Sequence, residues 1–135
     1  MASYLKDRIT ENSQLAIAVD FHSMEYDLFY TMSDDYPLAP RNLVNDWLNA
    51  MDKKTATRHH VSQLAMHNKG SGVFKQYIAD TYRVQGVTYE VSDNACRPLI
   101  RQNAKDAAET FIITLNGTKA EDFQCIDNGK SQTCH

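Results

Sequence analysis

The final third of the chain constrains the fold most. Residues 87–134 hold an alternating segment (Val87, Tyr89, Val91), then Cys96, a second alternating segment (Phe111, Ile113, Leu115), an Asn116-Gly117 pair and two more cysteines, Cys125 and Cys134. Apolar residues at every second position predict strands with one buried face. Asn-Gly supplies the positive φ values of a type I′ hairpin turn. Asp127-Asn128-Gly129 repeats that signal between segments 123–126 and 131–134, predicting a last hairpin. Between the first two strands, Ser92 and Asp93 as caps and Pro98 in the first turn predict a helix with Cys96, Leu99, Ile100 and Asn103 on one face. The cysteines lack the paired C-x-x-C spacing of zinc sites, so one disulfide is the economical reading. The spacing leaves open Cys96 with Cys125, Cys96 with Cys134 and Cys125 with Cys134. Three unpaired thiols in a reducing compartment are the plainer alternative.

The front half reads as helical. From residue 3 to 32 no Pro or Gly intervenes, and Leu5, Ile9, Ile17, Phe21, Met24 and Leu28 recur at helical steps, predicting one long amphipathic helix over 3–32. Pro37 and Pro40 then impose a loop. Leu43, Val44, Trp47, Leu48 and Met51 predict a short helix over 41–53 anchored by Trp47, and Val61, Leu64 and Ala65 a weaker one over 57–67. After Gly70-Ser71-Gly72, Tyr77, Tyr82 and Val84 lie in a β-prone stretch where strands begin. The expected class is α+β, with helices first and an antiparallel sheet behind them.

A chain of 135 residues, 42% apolar, makes one domain with its own core. A net charge of −3 with no basic run argues against a phosphate-backbone partner. The longest apolar run, 15–19, falls far short of the ~20 residues that cross a bilayer. Met1-Ala2-Ser3 leads directly into helix-forming residues, the arrangement expected where an initiator replaces a signal or anchor segment.

No catalytic motif stands out. On a helix, Asp20 and His22 would point about 200° apart, leaving only His22 and Glu25 on one face, the pattern of an ordinary solvated surface. His60 and His67, with His59 nearby, would lie about 10 Å apart along a helix, too far to share a metal alone. Cys96 near a helix start is a conceivable nucleophile, but no local base accompanies it. Asn116-Gly117-Thr118 matches a glycosylation sequon and reads better as a turn. The tyrosines Tyr26, Tyr30, Tyr36, Tyr77, Tyr82 and Tyr89 read as cover for the helix–sheet join. The residues imply no cofactor, no metal and no enzyme.

Gly86-Val87-Thr88-Tyr89-Glu90-Val91-Ser92-Asp93-Asn94-Ala95-Cys96-Arg97-Pro98-Leu99-Ile100 resembles the strand-to-cysteine-helix segment of type IVb pilins. Phe111 to Thr118 is similar to that family's next strand, and Gln124-Cys125-Ile126-Asp127-Asn128 with Thr133 to its terminal strand. The resemblance implies a pilin-like α+β domain over 1–135: a long N-terminal helix plus short helices on an antiparallel sheet, its C-terminal region bounded by a disulfide. Cys96 and Cys125 take the family's disulfide positions, with Cys134 as the alternative partner or a free thiol. The implied role is a major or minor subunit of a type IV pilus, extracellular or periplasmic, with other pilin subunits as partners and the membrane met only through an absent anchor. A small periplasmic inhibitor or immunity-type binding protein is the alternative, with a hydrolase using Cys96 or the histidines third.

Overall fold

A computed structural model describes residues 2–9, 13–123, 125–127 and 130–132, with side chains described for 4–5, 7–9 and 13–123. The elements in order are α1 (Ala2–Arg8), β1 (Ile17–Met24), β2 (Leu28–Thr31), α2 (Leu43–Thr55), β3 (Gln63–Ala65), α3 (Phe74–Tyr82), β4 (Gln85–Ser92), α4 (Arg97–Gly117), a 3-10 turn (Ala120–Phe123), β5 (Cys125–Asp127) and β6 (Lys130–Gln132). The fold is α+β, with α2, α3 and α4 packed on a four-stranded sheet of order β1-β4-β2-β3.

That sheet is mixed rather than antiparallel. β1 runs parallel to β4, from Ile17 opposite Gln85 to Met24 opposite Ser92, and β2 runs parallel to β3. Only β2 and β4 pair antiparallel, with Phe29 opposite Tyr89. Parallel neighbours need a crossover, and α2 is the crossover between β2 and β3.

The long helix expected over 3–32 is replaced by the short α1 and two strands. Ile17, Phe21 and Met24 satisfy helical spacing, but Ile17, Val19 and Phe21 also alternate with Ala18, Asp20 and His22. The eight-residue ladder with β4 settles the choice for the second period.

The helix expected over 41–53 is α2, which buries Leu43, Val44, Trp47, Leu48 and Met51 as its spacing predicts. That expected over 57–67 is not formed: residues 63–65 make the edge strand β3. Asp52 prevents a continuation by accepting the Val61 N–H at 2.8 Å, which turns the chain back. The β-prone stretch after Gly72 is instead helix α3, whose buried face of Lys75, Gln76, Ile78 and Ala79 is half polar and so shows little apolar period.

The strand and Asn-Gly hairpin expected over 111–117 are the last two turns of α4. Residues 104–110 are rich in helix formers, and an established helix extends easily. Thr110, Thr114 and Thr118 each return a hydroxyl hydrogen bond to the carbonyl four residues earlier, at 2.7–2.9 Å, so these β-branched residues satisfy their polar groups within the helix. β5 and β6 pair antiparallel, Ile126 opposite Ser131, as the last turn signal predicts, but they form a separate two-stranded sheet.

The sheet separates two apolar layers. On one face Phe29, Val87 and Tyr89 pack with Trp47, Leu48 and Met51. On the other, Met32, Leu38 and Ala79 pack under Tyr36. There α3 approaches β4 so closely that a Cβ on Gly86 would lie 2.5 Å from the Lys75 carbonyl oxygen. The end of α3 closes with Arg83 at φ 57°, its N–H returning to the Ala79 carbonyl, a left-handed cap more often given to glycine.

Candidate functional site

Between β1 and α4 lies a groove of about 310 Å³. Its floor is Ile17, Val19 and Phe21 of β1 with Tyr89 and Val91 of β4, and its far wall is Ile100, Ala104, Ala107, Ala108 and Phe111 of α4. Period two along the strands and three- and four-residue steps along the helix bring these side chains to one place.

Trp47 of α2 forms the inner end. Its indole nitrogen donates to the Ala107 carbonyl at 2.9 Å, and its ring meets Phe29 and Phe111 edge-on at 5.7 and 5.3 Å between centroids. α4 is thus fastened along its α2 side, while three alanines leave space above β1. Phe29 and Tyr89 stack at 4.0 Å beneath. Phe21, at the open side, is 71% exposed.

The fastening of α4 to α2 is polar at its centre. Asp106 is 1% exposed and accepts from Arg58 and from Gln102, with the Lys54 ammonium 3.5 Å away. Burial works to raise its pKa, but the hydrogen bonds from Arg58 and Gln102 outweigh it and hold the carboxyl below its ordinary value.

The groove wall contains one titratable group, Tyr89, whose hydroxyl donates to Asp27 at 3.0 Å. Burial first, and then the Asp27 carboxylate, push that phenol up, so it stays neutral at physiological pH. Among the described residues the lining of the groove offers apolar contact, and its volume suits a few apolar side chains or a small apolar molecule. Beyond it along α4 lies a second, broader cleft of about 670 Å³ with Asp35, Asp46, Glu121 and Asp122 on its rim. Arg41 also lines that cleft, so its rim carries both signs with the acidic one in excess.

The sequence-predicted residues fall elsewhere. Cys96 is the N-cap residue of α4, exposed and with a free thiol. The backbone of Cys125 opens β5, whereas its side chain and all of Cys134 lie outside the described residues. The pairing expected for Cys96 thus has its other half outside them.

Asp20 and His22 are not apart, as a helix would place them. On β1 they share the face away from the groove, with Asp20 Oδ2 and His22 Nε2 at 2.9 Å. Glu25 leaves that strand, and its carbonyl accepts from Ser92 and Asn94. The histidines go separate ways, His60 to Asp52 at 3.2 Å and His67 to Ser33 at 2.9 Å. No group of three His, Cys, Asp or Glu that could hold a metal ion occurs among the described residues.

Tyr89 and Tyr36 cover helix–sheet joins, while Tyr26 and Tyr77 are exposed. Among the described residues no helix is long and apolar enough to cross a membrane. Comparison with protein-family models, with curated proteins and with solved structures finds no match to this chain.

Proposed function

We propose that this chain is a small binding protein of the inhibitor or immunity type, acting by occlusion rather than catalysis. Its working surface is the groove between β1 and α4 with the acidic cleft beyond. The groove carries the reading: a concave apolar surface, pre-formed between a strand and a helix, with Phe21 exposed at its mouth. The matching partner presents one or two apolar anchors flanked by basic residues.

Ala104→Phe and Ala108→Phe fill the groove from its helical wall and leave the Trp47 side chain itself unchanged. Both variants fold and lose the partner that the wild type retains from source-cell extract, and that partner's own activity falls on equimolar addition of wild type only. Undiminished binding by the filled variants, or a partner whose activity is unaffected, overturns the proposal.

A pilus subunit, extracellular or periplasmic and partnered by other pilin subunits, is the second reading. One observation favours it: β4, then Cys96, then a helix with Pro98 in its first turn follows the order of the resembling segment. The rod over 3–32 that this reading also invoked is absent. An apolar helix-continuing segment directly upstream in the native reading frame would raise this reading above the first, and a cleavable signal peptide would remove it.

A further inference from the structure

We propose that β1 pairs antiparallel with β1 of a second copy across a two-fold axis at Phe21, joining two four-stranded sheets into one of eight. This goes beyond the groove reading and does not rest on it; the second copy covers Phe21 at the groove's mouth, so it competes there with any other occupant of the groove.

Of the two edge strands, β3 is three residues long, the short form in which exposed edges are usually kept. β1 is eight residues long, contains neither proline nor lysine, and among the described residues pairs with β4 alone, so its outer backbone groups face away from the sheet. Its exposed section is residues 21–23, which places the accessible centre at Phe21 and His22.

Side-chain charge selects between these centres. With the axis at Phe21, Asp20 stands opposite the second copy's His22 twice over, and the two Phe21 rings stand opposite each other on the groove face. Centred at His22, two imidazoles oppose; centred at Asp20, two carboxylates do. One Asp20 oxygen holds His22 of its own chain and the other is buried without a hydrogen-bond partner among the described residues, so the contact across the axis is made through Oδ2 and His22 at the exposed end of the pair. The same two-fold sets the two α4 helices side by side above the joined sheet, where Ile112, one turn from Ala108 and 54% exposed, extends the apolar flank of the groove.

The test is sedimentation equilibrium of the full chain from micromolar to millimolar concentration. The wild type sediments as a dimer, and Phe21→Lys as a monomer. Asp20→Lys and His22→Glu each weaken dimerisation by about tenfold or more, since the first removes the carboxylate that faces His22 and the second sets two carboxylates opposite one another. An equimolar mixture of these two regains the wild-type dimer, because Lys at 20 then meets Glu at 22 and the native His22 meets the native Asp20. Far-ultraviolet circular dichroism on every variant establishes that monomers are folded. A wild type that stays monomeric, a dimer indifferent to all three substitutions, or a mixture that fails to recover association each overturns the proposal; a strand of foreign sequence at this edge would give the first result.

Discussion

Gly86→Ala tests the close approach of α3 to β4. The added Cβ would lie 2.5, 2.6 and 2.9 Å from the carbonyl oxygen, Cα and carbonyl carbon of Lys75. All three are backbone atoms in α3, so no rotamer change relieves the clash. Ordinary contact begins at 3.4 Å, and the start of α3 must retreat by about 0.9 Å. That retreat opens the layer in which Ile78 and Ala79 are fully buried. Over-packing of this kind costs about 3 kcal/mol where the obstructing atoms cannot turn aside. For 135 residues the unfolding entropy is about 0.28 kcal/mol/K, so the melting temperature falls by roughly 10 °C. Thermal unfolding followed by circular dichroism measures this, and Gly117→Ala is the matched control: nothing lies within 4 Å of its added methyl, and its melting temperature holds or rises. A fall of less than about 2 °C in Gly86→Ala would refute the close approach of α3 to β4.

Replacing Asp106 by Ala removes the acceptor shared by Arg58 and Gln102 and lowers stability by about 1–3 kcal/mol, measured by urea unfolding at pH 7. The folded pKa of Asp106 is depressed below 3.8, so its stabilisation is complete above that value and is lost as pH falls through the folded pKa. Acid titration of wild type against Asp106→Asn reads this as a difference that shrinks below about pH 4. Lys75 is 3% exposed, with its ammonium bonded to the Met66 carbonyl, and burial lowers its pKa below 10.5. The unfolded chain therefore binds the proton more tightly, and the stability of wild type relative to Lys75→Met rises as pH climbs toward 10.5. Cys96, exposed with a free thiol, reacts with a thiol reagent in the folded protein without prior reduction. Labelling that appears only after reduction would return Cys96 to a disulfide with Cys125 or Cys134, as the resemblance implies.

Those elements were legible whose burial pattern is carried by hydrocarbon alone. α2 is one: Leu43, Val44, Trp47, Leu48 and Met51 mark the face that is buried. β4 is another, its Val87, Tyr89 and Val91 alternating as they pack. α3 was not legible, because Lys75 and Gln76 occupy its inner face, and no propensity argument places a lysine there. β1 failed for a different reason. Its residues satisfy two periods at once, and the deciding partner lies more than sixty residues downstream in β4.

The groove inherited that error. With 17–24 read as helix, Val19 points away from the face that Ile17 and Phe21 share, and the three form no floor. Ala104, Ala107 and Ala108 give no warning of a wall, since alanine in a helix is the least informative residue. Asp20 and His22 point apart on a helix and share one face on a strand, where they bond.

The two faces of the sheet differ in how firmly they are clamped. Below, main chain rests on main chain across Gly86. Above, the long outer helix hangs on an indole and a cluster of charges. Salt and acid weaken those charges directly, so a change of medium would widen the slot beneath the helix, and amide exchange would mark the stretch from Arg97 to Gly117 as early to breathe.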